Sequence, residues 1–204
     1  MNRMMTMGAA LVVAVVATAG LSAQVGKSQG VVDVNTAAER DLAGFPNMTP
    51  AIAKALVGKR PFASPAELNA FLLSQGLTAE QAAAFYGKAF VHINLNTATA
   101  EEILLVPGAG RRMTREFPEY RPWKTWAQFD REIGKYVGPE ATAKLAQYAF
   151  IPMNANTASD ADLMTVPGAT QAWADKVKQG RPYKTAADLE KSAGKAQARF
   201  FVIE

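Results

Sequence analysis

Three arginines that follow a glycine-containing turn are the residues of this 204-residue chain best suited to bind an anion. The turn, residues 106–110, reads Val-Pro-Gly-Ala-Gly. Glycine permits a positive φ and a close approach of the main chain to a ligand. Where such a turn opens a helix, the first N–H groups of that helix attract a phosphate. The predicted phosphate site comprises Gly108, Ala109, Gly110, Arg111, Arg112 and Arg115.

The three arginines are not equivalent. Arg111 and Arg115 are four residues apart, so they lie on one face of a helix. Arg112 stands four residues before Glu116, and this spacing predicts an ion pair that engages part of its charge.

No grouping of side chains predicts catalysis. The chain has no Cys, so a Cys-ligated zinc is excluded, and His92, its one histidine, lies at a repeat junction with no Cys or second His to complete a metal or nucleophile constellation. We therefore expect no enzyme activity, no metal, no cofactor and no small-molecule substrate. We expect His92 to be a surface or packing residue.

The elements that would position the turn belong to a unit that occurs three times. Residues 33–37, 94–98 and 154–158 have related sequences at periods of 61 and 60 residues. From the Asn at the third position of each segment (Asn35, Asn96 or Asn156), a Pro follows after 11 residues and an Arg-Pro-aromatic triplet after 25, without gaps. We predict three repeats. Repeat 1 is 33–93, repeat 2 is 94–153, and repeat 3, which is shortened, is 154–204.

Helix signals inside each repeat predict an all-α fold. Thr99 with Glu102, and Ser159 with Asp162, have the spacing of capping boxes. A second helix follows the Pro and ends at Arg-Pro, and Pro118 is expected to shorten this helix in repeat 2. A third helix is predicted to open at Ser64, Thr125 and Thr185.

Two further features of the repeat have a structural interpretation. We expect the ring of each Arg-Pro-aromatic triplet to pack in the core. We expect Asn35, Asn96 and Asn156 to bond local main chain ahead of a helix. Each repeat closes with a short apolar segment that is either a helix end or a small strand. These segments are 89–91, 149–151 and 200–202.

The matching turns of the other repeats are altered. Repeat 3 keeps Gly168 and Ala169 but has Thr170 in place of the second glycine, with Lys176 as a nearby cation. Repeat 1 has Asn47, which tolerates a left-handed conformation, and no glycine. We therefore include Gly168, Ala169, Thr170 and Lys176 as secondary anion-site candidates and interpret repeat 1 as structural.

The residues from Leu42 to Arg60, Ile103 to Arg121 and Leu163 to Arg181 resemble the helix-hairpin-helix motif. The whole unit, from Asn-x-Asn-Thr-Ala to Arg-Pro-Tyr-Lys-Thr, resembles the soluble repeat of the ComEA-like competence family. Members of that family are exported DNA-binding proteins that take part in DNA uptake. The resemblance implies three tandem helix-hairpin-helix repeats that contact the phosphate backbone of double-stranded DNA without sequence specificity.

The N-terminus predicts export. A basic start with Arg3 precedes an uncharged run rich in Ala and Val, and small residues follow. We expect a signal peptide over 1–23, a linker over 24–32 and a periplasmic or secreted protein. The alternative is a retained anchor helix, for which the apolar stretch is short.

Overall charge permits more than one function. The net charge of +4, from 22 basic and 18 acidic residues, is mild for a polyanion-binding protein. Two hypotheses therefore stay open at the level of sequence. One is an exported DNA-binding protein, and the other is an envelope protein-interaction scaffold whose hairpin repeats no longer bind DNA.

Overall fold

The computed structural model describes residues 30–204, in which eleven helices form a mostly α-helical protein. The predicted signal peptide and residues 24–29 of the predicted linker lie outside the described residues. Among the helices described, none is both long and apolar enough to cross a membrane.

The three repeats share one order of elements. Repeat 1 contains β1 (Val32–Asp33), α1 (Glu39–Ala43), α2 (Pro50–Lys59), α3 (Pro65–Ser74), α4 (Ala79–Tyr86) and β2 (Ala89–Phe90). Repeat 2 contains β3 (Ile93–Asn94), α5 (Ala100–Leu105), α6 (Gly110–Glu119), α7 (Trp126–Ala146) and β4 (Ala149–Phe150). Repeat 3 contains β5 (Met153–Asn154), α8 (Asp160–Leu163), α9 (Gln171–Gln179), α10 (Ala186–Ala193), α11 (Lys195–Ala198) and β6 (Phe201–Val202). Because Gly138 breaks α7 with a φ of 77°, repeat 2 also has a fourth helical segment.

The closing apolar segments are strands, which corrects the expectation of an all-α fold to a mostly α one. Within each repeat the last strand pairs in parallel with the first, as β1 with β2, β3 with β4 and β5 with β6. Each strand has two residues, so packing against the helices stabilises the pairs more than their own few hydrogen bonds do. Each strand pair therefore places the end of a repeat beside its beginning.

Helix starts follow the predicted caps. Complete capping boxes form at Thr99 with Glu102 and at Ser159 with Asp162. The side chains of Ser64, Thr125 and Thr185 each accept a hydrogen bond from the main-chain N–H three residues on.

One helix end differs from prediction. α6 continues through Pro118 to Glu119 and has ten residues, the same length as α2. Since Pro118 lies in the last turn, its missing N–H removes at most one bond near the end of the helix, and the helix is not shortened.

The Asn at the third position of each repeat makes a long-range contact, so the prediction of local bonding was wrong. The Asn35 side chain accepts from the N–H of Phe62 at 2.8 Å and donates to the carbonyl of the same residue at 3.0 Å, 27 residues along the chain. Asn96 and Asn156 make the same two bonds to Trp123 and Tyr183. The local main-chain N–H is instead bound by the first residue of each segment, as in the bond from Asn35 to Asp33.

The aromatic residues of the triplets are core residues, as predicted. Phe62, Trp123 and Tyr183 are at most 3% exposed. The preceding Arg-Pro peptide bond is cis in all three repeats. The buried side chains of repeats 1 and 2 form one continuous core, and those of repeat 3 form a second around Phe150 and Phe200.

A buried charged cluster joins the repeats. His92, fully buried between repeats 1 and 2, holds its Nδ1 2.9 Å from Oδ2 of Asp33. Arg199 of repeat 3 donates to the His92 carbonyl, and its guanidinium lies over the rings of Phe150 and Phe200. Burial by itself raises the pKa of Asp33, but the hydrogen bond to His92 and the attraction of His92 and Arg199 outweigh it and leave that pKa below its ordinary value.

Candidate nucleic-acid interface

The turn of repeat 2 is open to solvent. Gly108 and Gly110 are exposed and have φ values of 83° and 62°. A Cβ added to either glycine would meet no atom within 4 Å. Ala109 between them is buried, and its N–H donates to the carbonyl of Val106. The buried alanine fixes the turn while the two glycines present main chain to the outside.

The helix after this turn begins without a side-chain cap. The N-cap residue of α6 is Ala109, which offers no acceptor. At the matching place in repeat 1, the Thr49 hydroxyl accepts from the Ile52 N–H at 3.2 Å, and in repeat 3 the Thr170 hydroxyl accepts from the Trp173 N–H at 3.2 Å. Of the three helices that follow these turns, α6 is therefore the one whose first N–H groups are left for an external acceptor.

Two of the three arginines are free. Arg111 and Arg115 are exposed and make no ion pair with any residue in 30–204. Arg112 Nε lies 3.6 Å from Oε1 of Glu116, which confirms the predicted pair. The Arg112 guanidinium also lies over the ring of Tyr136, 4.6 Å from the ring centre. Arg112 is thus contacted by Glu116 and Tyr136, whereas Arg111 and Arg115 face solvent.

A polar and aromatic cluster lies beside Arg112, and no local sequence pattern predicted it. The hydroxyls of Tyr120 and Tyr136 are 2.7 Å apart. The pKa of Tyr136 is raised above its ordinary value, first by this hydrogen bond, then by burial and by the nearby Glu116 carboxylate. Tyr136 comes from α7, a separate helix, so no spacing along the chain could have linked it to Arg112.

The turn of repeat 1 is held against its own repeat. Asn47 has a φ of 61°, which confirms the predicted left-handed residue. Its Nδ2 donates to the carbonyl of Gln81 at 3.2 Å, at the first turn of α4. The turn of repeat 1 is therefore bonded to α4 through Asn47 and to the start of α2 through Thr49.

The turn of repeat 3 lies against two other parts of the protein. Gly168 has a φ of 74°, and a Cβ added there would meet Thr36 of repeat 1 at 3.2 Å. The Pro167 carbonyl accepts from Gln197 of α11 at 3.2 Å. Ala169 is buried and Thr170 caps α9. Gly168 and Thr170 are still exposed, but Thr36 and Gln197 lie beside this turn, whereas a Cβ added to either glycine of repeat 2 would meet nothing within 4 Å.

The cations of repeat 3 differ in availability. Lys176 is exposed and has no ion pair with another described residue. Lys178 is engaged by Asp160 at 2.6 Å and by Asp175 at 3.1 Å. The structure thus leaves Lys176 available on α9, whereas Lys178 of the same helix is engaged.

Across residues 30–204, no group of three or more His, Asp or Glu side chains could hold a metal ion. No protein-family model, no curated protein and no solved structure significantly matches this chain.

Proposed function

We propose that this protein is an exported, sequence-nonspecific double-stranded DNA-binding protein built from three helix-hairpin-helix repeats. The observation that carries the proposal is the turn of repeat 2. It combines two exposed glycines, a helix without a side-chain cap and two arginines free of ion pairs with other described residues.

The proposed contact joins the main chain and the arginines to a DNA strand. A phosphate oxygen accepts hydrogen bonds from the first N–H groups of α6, where the helix dipole also favours an anion. Arg111 and Arg115 then pair with that phosphate and its neighbours, because guanidinium groups bind phosphates through charge-assisted hydrogen bonds. Since all these contacts reach the backbone of the DNA, they carry affinity without reading sequence.

Repeats 1 and 3 have other roles than repeat 2 in this proposal. We assign repeat 1 a structural role, because its turn is capped by Thr49 and tied to α4. Gly168, Ala169, Thr170 and Lys176 form at most a secondary contact, since their turn lies against Thr36 and Gln197. The N-terminal signal pattern leads us to place the protein in the periplasm or outside the cell, with DNA uptake as its process.

The proposal is tested by equilibrium binding to labelled duplexes of about 30 base pairs. We expect dissociation constants in the range of about 1–100 µM at low salt, with two unrelated sequences bound equally within about threefold. Absence of binding at these concentrations, or a strong preference for one sequence, would contradict the proposal.

A second candidate function is an envelope protein-interaction scaffold without DNA binding. It is favoured by the capped and packed turns of repeats 1 and 3, which serve internal contacts. A stoichiometric partner captured from envelope extracts, unaffected by nuclease, together with no affinity for duplex DNA, would select this function over the first.

A further inference from the structure

The Glu116 carboxylate lies beneath the arginines of repeat 2 and is poorly compensated. Glu116 is only 7% exposed, although glutamate is ordinarily a surface residue. Its Oε1 has Arg112 Nε as an ion-pair partner at 3.6 Å, and its Oε2 is buried without a hydrogen-bond partner. The Tyr136 hydroxyl also lies near this carboxylate, but Arg112 is its one ion-pair partner among the described residues, so the buried charge depends strongly on that guanidinium.

The fold does not need an acid at this position. Counting by the repeat periods, Glu116 matches Ala55 in repeat 1 and Lys176 in repeat 3. α2 and α9 form the same helix with those residues. The carboxylate is therefore specific to the repeat whose turn is open and whose helix carries three arginines.

We propose that Glu116 is an electrostatic brake on DNA binding by repeat 2, an inference that rests on the proposed function. The carboxylate opposes a phosphate at the N-terminus of α6, and it retains Arg112. Transfer of Arg112 to a phosphate would leave Glu116 buried without a counterion, a state that proteins tolerate poorly. Arg112 is consequently held against Glu116 and the Tyr136 ring, and the repeat binds DNA more weakly than its three arginines allow.

The test is the duplex affinity of Glu116→Gln, which keeps the shape of the side chain and removes its charge. At about 50 mM salt we expect binding to tighten about three- to tenfold. The slope of log affinity against log salt should steepen by about 0.9, because Arg112 can then neutralise one more phosphate. Glu116→Ala, which reproduces the residue of repeat 1, is expected to change affinity in the same direction.

The matched control is Glu119→Gln on the same helix. Glu119 is exposed and pairs with no cation among the described residues, so its removal changes the net charge equally without releasing an arginine. We expect it to alter affinity less than about twofold. Arg112→Ala should cost more affinity in the Glu116→Gln background than in the parent protein, because only there is Arg112 free to bind DNA.

The outcomes distinguish failure of the brake from failure of the proposed function. Parent protein that binds DNA, with Glu116→Gln and Glu116→Ala both equal to it or weaker, overturns the brake and leaves the proposed function intact. Glu119→Gln as effective as Glu116→Gln reduces the effect to net charge and also overturns the brake. No binding by any variant overturns the proposed function and the brake together.

Discussion

Asn96 binds the main chain of Trp123 through both ends of its side-chain amide. Nδ2 donates to the Trp123 carbonyl at 3.0 Å, and Oδ1 accepts from the Trp123 N–H at 2.6 Å. This pair of bonds ties the start of repeat 2 to Trp123 in the segment that follows α6, and so helps to position the helix carrying the arginines. Its recurrence in repeats 1 and 3 makes it the common structural contact of the three units.

Replacement of Asn96 by Ala should destabilise the protein. The change leaves both main-chain groups of Trp123 without their partner, and we expect the free energy of unfolding to fall by about 2–4 kcal/mol. Urea denaturation measures this loss. Thr97→Ala, at the exposed neighbouring residue, should stay within about 0.5 kcal/mol of the parent. Equal stability of the two variants would show that the Asn96 bonds are not needed.

The buried Asp33 should make stability depend on acid. Because the pKa of Asp33 is below its ordinary value in the folded protein, its ionisation stabilises the fold above the unfolded-state pKa, and this stabilisation is lost as pH falls through the folded-state pKa. Asn94 and Asn154 occupy the matching positions and accept the same main-chain hydrogen bond, so Asn fits there. Asp33→Asn should therefore be less stable than the parent by about 1–3 kcal/mol at pH 7, since it removes the partner of buried His92.

Urea midpoints at several pH values test this dependence. The stability difference between the parent and Asp33→Asn should shrink as the pH is lowered below about 4, the ordinary pKa of an aspartate, because the folded parent then takes up the proton. A difference that stays constant through that range would contradict the ionised buried Asp33.

Much of the fold follows from local signals in the sequence. The caps at Thr99 and Ser159 were predictable because a capping box is set by residues three apart. The bond from Asn96 to Trp123 was not predictable, because it spans 27 residues and depends on how the chain returns. The strand pairs likewise join segments that are distant along the chain, so their apolar residues alone could not distinguish a strand from a helix end.

The candidate site was only partly predictable, for the same reason. The pair of Arg112 with Glu116 follows from helical spacing, and the structure confirms it. The ring of Tyr136 over Arg112 comes from another helix, and the contact of Gly168 with Thr36 comes from another repeat. The first contact affects the availability of Arg112 and the second the space around the turn of repeat 3. Neither could be predicted from the local sequence.

Gly110→Thr should close the turn of repeat 2. Thr49 and Thr170 hold the matching position in the other repeats and cap the helix that follows. Threonine disfavours the φ of 62° at Gly110, so the backbone there is expected to take the extended conformation of Thr49 and Thr170, which lets the hydroxyl cap α6 and occupy the N–H groups proposed to bind phosphate. Duplex affinity should fall about tenfold, the equivalent of about 1.4 kcal/mol, while the Tm changes by less than about 5 °C.

The reverse change, Thr170→Gly, is the control for the turn. It removes the cap of α9, but Gln171 and Ala172 follow where repeat 2 has two arginines. DNA affinity should stay within about twofold of the parent. A gain in affinity comparable to the loss in Gly110→Thr would mean that an open turn is sufficient without arginines, contrary to the proposal.

The salt dependence of duplex binding tests the central claim most directly. The comparison uses Arg111→Ala with Arg115→Ala, and, as a control of equal charge, Arg40→Ala with Lys54→Ala in repeat 1. Both control residues are exposed, and Lys54 occupies the position in α2 that matches Arg115. With Arg111 and Arg115 each neutralising about one phosphate, the parent and the control should show slopes near −2 in log affinity against log salt, and the arginine variant a slope near zero with weaker binding. Equal slopes and affinities for the two double variants would contradict a phosphate site at the turn of repeat 2.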